Sequence, residues 1–298
     1  MKNKKLNDEI ELTQSMRVLA ESYQEISVRR MQKIRGGIVS ARDFMERLSQ
    51  IFIDVHTSYQ SKLLSAAKAG AKPVFPLPLK NERFTFSTSK KNGKMVLVLV
   101  SATARLYGSI VSQVFQSFLL AVNKYPQADI IILGAVGKQL FDGLEKERQY
   151  QFFELADVAT SLEQIQPVIT VLLDYQDVQI YFGKFNNIMI QSPAVSDLSG
   201  SLPTEEVGLI EERKEFFFEP IVEKIVDYFG NQVFASLFKQ TVHEGELARF
   251  ASRVSAMENA LINIDKAQDK LHTMVRSAKK VSDNNKRIGA LAGMSLWR

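Results

Sequence analysis

Both ends of this chain are long runs in which apolar side chains recur at alternating steps of three and four, and that spacing limits the available folds more than any other feature. From about Leu6 to Ala67 there is no proline, and good helix formers dominate except at the pair Gly36–Gly37. Leu12, Met16, Leu19, Tyr23 and Ile26 form a seam. After Ile26 the phase slips by one residue, then resumes through Met31, Ile34, Ile38, Ala41, Met45, Leu48, Phe52 and Val55. At ~1.5 Å per residue such a helix is a rod of roughly 65–90 Å. The C-terminal end repeats the pattern through Leu247, Phe250, Val254, Met257, Leu261, Ile264, Gln268, Leu271, Val275 and Ala278, with Gln268 its one polar member. A lone helix of this kind would expose a continuous apolar stripe, so the economical arrangement lays the two ends antiparallel against each other.

Several classes of function are excluded early. The 298 residues contain no cysteine, which removes disulfide scaffolds, thiol nucleophiles, iron–sulfur clusters and cysteine-liganded zinc. His56, His243 and His272 are far apart in sequence, a poor start for a multi-histidine metal site or a histidine-based triad. The longest apolar runs, such as Met95–Val100 and Ile130–Leu133, are too short to cross a bilayer, and the opening MKNKKLNDEIE lacks an apolar signal core, so an intracellular protein with no direct membrane span is expected. The net charge of +5 is mild and concentrated: residues 269–298 hold seven lysines and arginines against Asp269 and Asp283. With Trp297 as the only aromatic beyond Leu271, that segment offers little stacking surface, and no nucleic-acid partner is expected.

The middle reads as a small α/β domain. Gly70–Leu79, GAKPVFPLPL, holds three of the eight prolines and ends the first helix. Met95–Ser101 is a nearly continuous β-branched and leucine run typical of a strand buried on both faces. A helix over about 108–123, a strand at 129–133, a helix around 138–144, a strand near 152–155, a helix over about 161–175 and strands at 178–182 and 187–191 complete a β-α-β alternation that predicts a parallel sheet. The expected fold is therefore α/β plus a long antiparallel coiled coil, with residues 1–68 and 219–298 as the paired helices and a Rossmann-like domain at 69–218 inserted between them.

A Rossmann-like domain invites a nucleotide, but its loops carry no phosphate cradle. Ser101–Gly108, SATARLYG, has a single glycine, and Gly134–Lys138, GAVGK, is too short for a P-loop and is followed by Gln139. Glu205–Glu206 and Glu211–Glu212 fit a solvated surface better than acid/base work, and Phe216–Phe217–Phe218 fits a buried strand. No catalytic residue, cofactor or metal is expected.

The layout, and seven short motifs in order, resemble the gamma subunit family of F-type ATP synthases. Glu11–Ala20, ELTQSMRVLA, is similar to the family's KIT-x-AM-x-MVA; Arg253–Ala260, RVSAMENA, to RM-x-AM-x-x-A; and Ala278–Lys279–Lys280 falls on its ARQ. Val98–Gly108 resembles the strand and loop written TSDRGLCG, and Gly137–Lys138 falls on GKK or GSK. Tyr181–Gln191 with Leu202–Pro203 resembles Y-x-x-F…Q…LP, and Phe218–Glu219–Pro220 matches the acidic proline motif. The chain departs from the pattern where TSDRGLCG becomes SATARLYG, at its acidic DEIE near the start, and in the tail KRIGALAGMSLWR.

The resemblance implies a rotating central shaft, non-catalytic itself, inside a hexamer of alpha and beta subunits. An epsilon-type subunit and a membrane rotor ring would be its other partners, at the cytoplasmic face of a bacterial inner membrane. The shaft's angle would set nucleotide affinity in each beta subunit of a proton- or sodium-translocating complex. By register with the family, Met16 and Arg253 would face the beta levers, and Lys279, Lys280 and Asn284 the upper catch contacts. Arg29, Arg30, Lys33 and Arg35 would meet acidic beta loops. A gamma-like shaft of a specialised ATPase not used for synthesis, and an unrelated coiled-coil adaptor, are the competing expectations.

Overall fold

The computed structural model describes residues 2–68, 92–144, 148–157, 162–198 and 222–295. Its elements are α1 (Lys2–Lys68), β1 (Met95–Val100), α2 (Ile110–Lys124), β2 (Asp129–Leu133), α3 (Ala135–Leu144), β3 (Gln151–Phe153), α4 (Leu162–Leu172), β4 (Asp177–Phe185), β5 (Gln191–Asp197) and α5 (Val222–Ser295). The proline-rich boundary at 70–79, the carboxylate pairs at 205–206 and 211–212 and the phenylalanine run 216–218 lie outside the described residues. Two compact units result, Met1–Arg29 with Arg253–Arg298, and Arg30–Ser252. α1 is continuous through Gly36–Gly37, so the helix tolerates about 1 kcal/mol of lost propensity at each.

In the first unit the two helices touch side chain to side chain. Arg17 donates to Asp265 at 2.8 Å, Gln24 donates to Glu258 at 2.7 Å, and the Arg253 guanidinium lies 5.7 Å from the Tyr23 ring centre. Residue numbers rise on α1 as they fall on α5, so these stretches run antiparallel. The α5 seam turns inward as its spacing predicts: Val254, Met257, Leu261, Ile264, Gln268, Leu271, Val275 and Ala278 are all buried or half-buried.

The α1 seam is one residue out of phase with expectation. Leu12, Met16, Leu19, Tyr23 and Ile26 are between 39% and 60% exposed, while Thr13, Arg17, Ala20, Gln24 and Ser27 turn inward, with Ala20 at 6% and Ser27 at 0%. Large side chains on α5 leave room opposite only for small ones, or for polar ones long enough to reach its edge. No slip follows Ile26, since Met31 and Ile34 continue the inward spacing and pack against Ala102, Tyr107 and Phe250 in the second unit. Of the later seam members, Ile38 to Val55, no side chain is described.

The second unit is built on a five-stranded sheet of order β3-β2-β1-β4-β5. Alternate residues feed opposite faces. Val96, Val98 and Val100 pack with Ile165, Leu172, Phe234 and Phe238 under α4 and α5, whereas Leu97 and Leu99 pack with Phe118 and Phe141 under α2 and α3. Four strands are parallel, but β5 pairs antiparallel with β4, so the sheet is mixed and not parallel as expected. The segment read as a strand from 187 is instead a turn, in which Asn187 Oδ1 accepts from the backbone N–H of Met189 and Ile190. A turn this short can only return the chain antiparallel.

At the amino ends of the strands, the Tyr175 hydroxyl donates to Asp129 at 2.9 Å. Burial, and then this bond, push its pKa up to about 12. Because the folded value lies above that of an unfolded tyrosine, near 10, this group's stabilisation is complete below about pH 10 and is lost as pH rises toward about 12. Urea midpoints measured across that window should fall with pH, and Tyr175→Phe should make the fall shallower; Tyr150, raised likewise by its bond to Asp142, supplies part of the remainder.

Candidate subunit interface

An open α/β sheet offers ligands a crevice at the carboxyl ends of its strands, where the chain order reverses; here that point lies between β1 and β4. The crevice is filled by α5. Gly245 faces Val100 and Phe182, and a Cβ on Gly183 would stand 3.2 Å from the Ala248 methyl. Glycine at 183 lets the helix come this close.

The loops beside it are locked to each other. Val136 N–H donates to the Ala102 carbonyl at 2.8 Å, and Ser101 N–H to Leu133 at 2.9 Å. Gly134 has φ +96°, and a Cβ there would be 2.8 Å from the Ala102 carbonyl oxygen. The start of α3, where a phosphate would sit in a nucleotide binder, is thus covered by the chain's own carbonyl.

On the other side of the β1 loop, the Asp157 carboxylate accepts from the backbone N–H groups of Thr103 and Ala104, and the Thr103 hydroxyl donates to Leu155. Arg249 from α5 completes the joint. Its Nε lies 3.8 Å from Asp157, its side chain is 4% exposed, and its guanidinium is 6.0 Å from the Tyr107 ring centre. Tyr107 meets Phe250 edge-on at 5.6 Å, and buried Glu246 sits 3.1 Å from His243. Sequence reasoning missed this joint; the available signal was Arg249 inside the run Leu247–Val254, whose neighbours are mostly apolar.

The expected contact residues distribute as follows. Met16 belongs to the exposed α1 row, and Arg253 is buried against Tyr23. In the heptad frame of the α5 seam, Asn284 is two heptads from Lys270 on the flank of that row, Lys279 is two heptads from Asp265 on the opposite flank, and Lys280 is two heptads from Lys266 on the outward face between them. All three are exposed. Arg29 is exposed and pairs with Glu25 one turn away, Lys33 and Arg35 are exposed, and Arg30 is half-buried.

Two very long helices carrying an α/β unit whose ligand crevice is filled by one of them define a structural subunit that works through its surfaces. A family model described as ATP synthase matches residues 2–281, and the chain belongs to that family. It is similar to the ATP synthase gamma chain of Rickettsia felis, 23% identical over 304 residues and covering 97% of each chain. The gamma chain of Rickettsia bellii is 24% identical over 308 residues, again covering 97% of each. The fold resembles a chain in the central stalk and c-ring structure of the Tetrahymena thermophila mitochondrial ATP synthase, with TM-score 0.55 and 16% identity, covering 81% of this chain and 99% of that one. The chain is a gamma-type subunit, non-catalytic in itself. Among the described residues no helix is long and apolar enough to cross a membrane.

Proposed function

We propose that the chain is the rotating shaft of an ion-translocating ATPase, turning inside a hexamer of alpha and beta subunits, with an epsilon-type subunit and a membrane rotor ring as its other partners. The observation that carries this reading is the antiparallel contact of α1 with α5 through Arg17–Asp265, Gln24–Glu258 and Tyr23–Arg253. Such a pair, continued as a coiled coil, resists twisting and so can transmit torque. Residues 1–68 and 219–298 serve as shaft and 69–218 as the α/β domain, at the cytoplasmic face of a bacterial inner membrane. Chemistry occurs in the beta subunits, and the shaft's angle sets their nucleotide affinity through differential contacts. Met16, Arg29, Arg30, Lys33, Arg35, Arg253, Lys279, Lys280 and Asn284 make those contacts.

Charge reversal at Lys279 and Lys280 together tests the assignment. In reconstituted vesicles ATP-driven ion uptake should fall by roughly tenfold while hydrolysis persists. Unchanged coupling would remove both lysines from the contact set, and failure of the tagged chain to co-purify a hexameric ATPase would remove the shaft reading altogether.

A further inference from the structure

Gly93, at φ +65°, lets the chain turn into β1 directly after Asn92, and both residues are exposed. An Asn-Gly pair is chemically reactive for a steric reason: with no side chain on the second residue, its backbone nitrogen can reach the asparagine side-chain carbonyl carbon. Here every reacting group is engaged. The Gly93 N–H donates to Gln176 Oε1 at 2.9 Å, Asn92 Nδ2 donates to the Asp174 carbonyl at 2.7 Å, and Asn92 Oδ1 accepts from the Lys94 N–H at 3.1 Å. These bonds act in opposite senses. The one from Lys94 draws charge onto the carbonyl oxygen and leaves the carbon more open to attack, whereas the other two hold the proton of the attacking nitrogen and the leaving amide in place. The half-buried Gln176 is itself fixed, because its N–H and that of Asp177 donate to the Lys94 carbonyl at 3.0 and 3.1 Å.

We propose that Asn92 is a latent site of deamidation and that Gln176 is the residue that keeps it closed in the folded chain. In the reaction, hydroxide removes the Gly93 N–H proton and the nitrogen attacks Asn92 Cγ. A new C–N bond forms there, and the bond from Cγ to Nδ2 breaks to release ammonia. Water then opens the resulting succinimide ring at either carbonyl, leaving aspartate or isoaspartate, so that amide and water have become carboxylate and ammonium. While Gln176 Oε1 holds the Gly93 proton, the nitrogen is neither deprotonated nor free to swing toward Cγ, and opening of that bond must come first. Conversion puts a negative charge two residues before Lys94. The isoaspartate form also adds a backbone carbon just ahead of β1, which carries the Lys94 carbonyl out of register with Gln176 and Asp177.

Incubation of the full chain at mildly alkaline pH, followed by peptide mapping that separates asparagine, aspartate and isoaspartate at position 92, reads the reaction directly. The folded chain should convert at least ~10-fold more slowly than the same chain unfolded in urea, where the lock is gone. That comparison needs no variant. Gln176→Ala should speed conversion in the folded chain by roughly 3- to 10-fold, the range that loss of one net hydrogen bond sets. Gln176→Glu keeps an acceptor for the Gly93 N–H and should stay as slow as the parent chain. In each folded chain the rate should rise with pH, because base must take the Gly93 proton. Equal rates in the folded and unfolded parent, no acceleration in Gln176→Ala, or an acceleration of the same size in Gln176→Glu would each overturn the proposal. The last of these would mean that the turn had merely loosened.

Discussion

Asp157→Ala should lower the unfolding free energy of the second unit by about 3–5 kcal/mol, the largest loss expected from any single polar substitution described above. Two costs add. The backbone N–H groups of part-buried Thr103 and exposed Ala104 lose their acceptor, and an unpaired donor shielded from water, as at Thr103, costs about 1–3 kcal/mol. Arg249 is then left as a buried cation with no counter-charge at 3.8 Å. Among the described residues its Nε and Nη2 already lack hydrogen bonds. Urea denaturation would measure the loss, and hydrogen exchange should show faster opening of residues 101–108. Arg249→Met in the Asp157→Ala background should recover part of it, because removing the cation removes the penalty of burying it alone. Strictly additive effects in that cycle would mean that Asp157 and Arg249 do not act as a unit.

Gly134→Ala should cost about 2–4 kcal/mol, far more than its one methyl group suggests. At φ +96° an alanine is strained in any setting, and its Cβ would stand 2.8 Å from the Ala102 carbonyl oxygen, which is held in place by Val136 N–H. Gly93→Ala is the matched control. Its φ is +65°, but among the described residues no atom lies within 4 Å of the added carbon, so only the conformational cost, about 1 kcal/mol, should appear. Thermal midpoints of the two variants would separate strain from collision; equal shifts would show that the closed approach of the β1 and β2 loops contributes nothing.

How far the fold was legible depended on the element. The cores of β1 and β2 stand out because strands buried on both faces need unbroken apolar runs, and MVLVLV and DIIIL meet that need almost to the residue. β5 was placed too early because Asn187–Ile190 looks apolar enough for a strand, whereas the Asn187 side chain makes it a turn. The family was legible from motifs spread along the chain. The Asp157–Arg249 joint was not, because it unites a loop after β3 with a helix more than ninety residues later, and no local pattern encodes such a pairing.

From composition, spacing and breaks, the sequence alone settled that both ends are long helices, that an α/β unit lies between them, and that α5 has an inward seam at Val254–Ala278. Those features follow from local propensity and from the repeat of apolar residues along one chain. Only the tertiary structure decided which face of α1 turns inward. The row of largest apolar side chains, Leu12 to Ile26, was passed over for Thr13, Ala20 and Ser27, because the space left by the bulky α5 seam admits small residues and excludes large ones. Periodicity fixes that a helix has a preferred face, but the shape of its neighbour chooses which one.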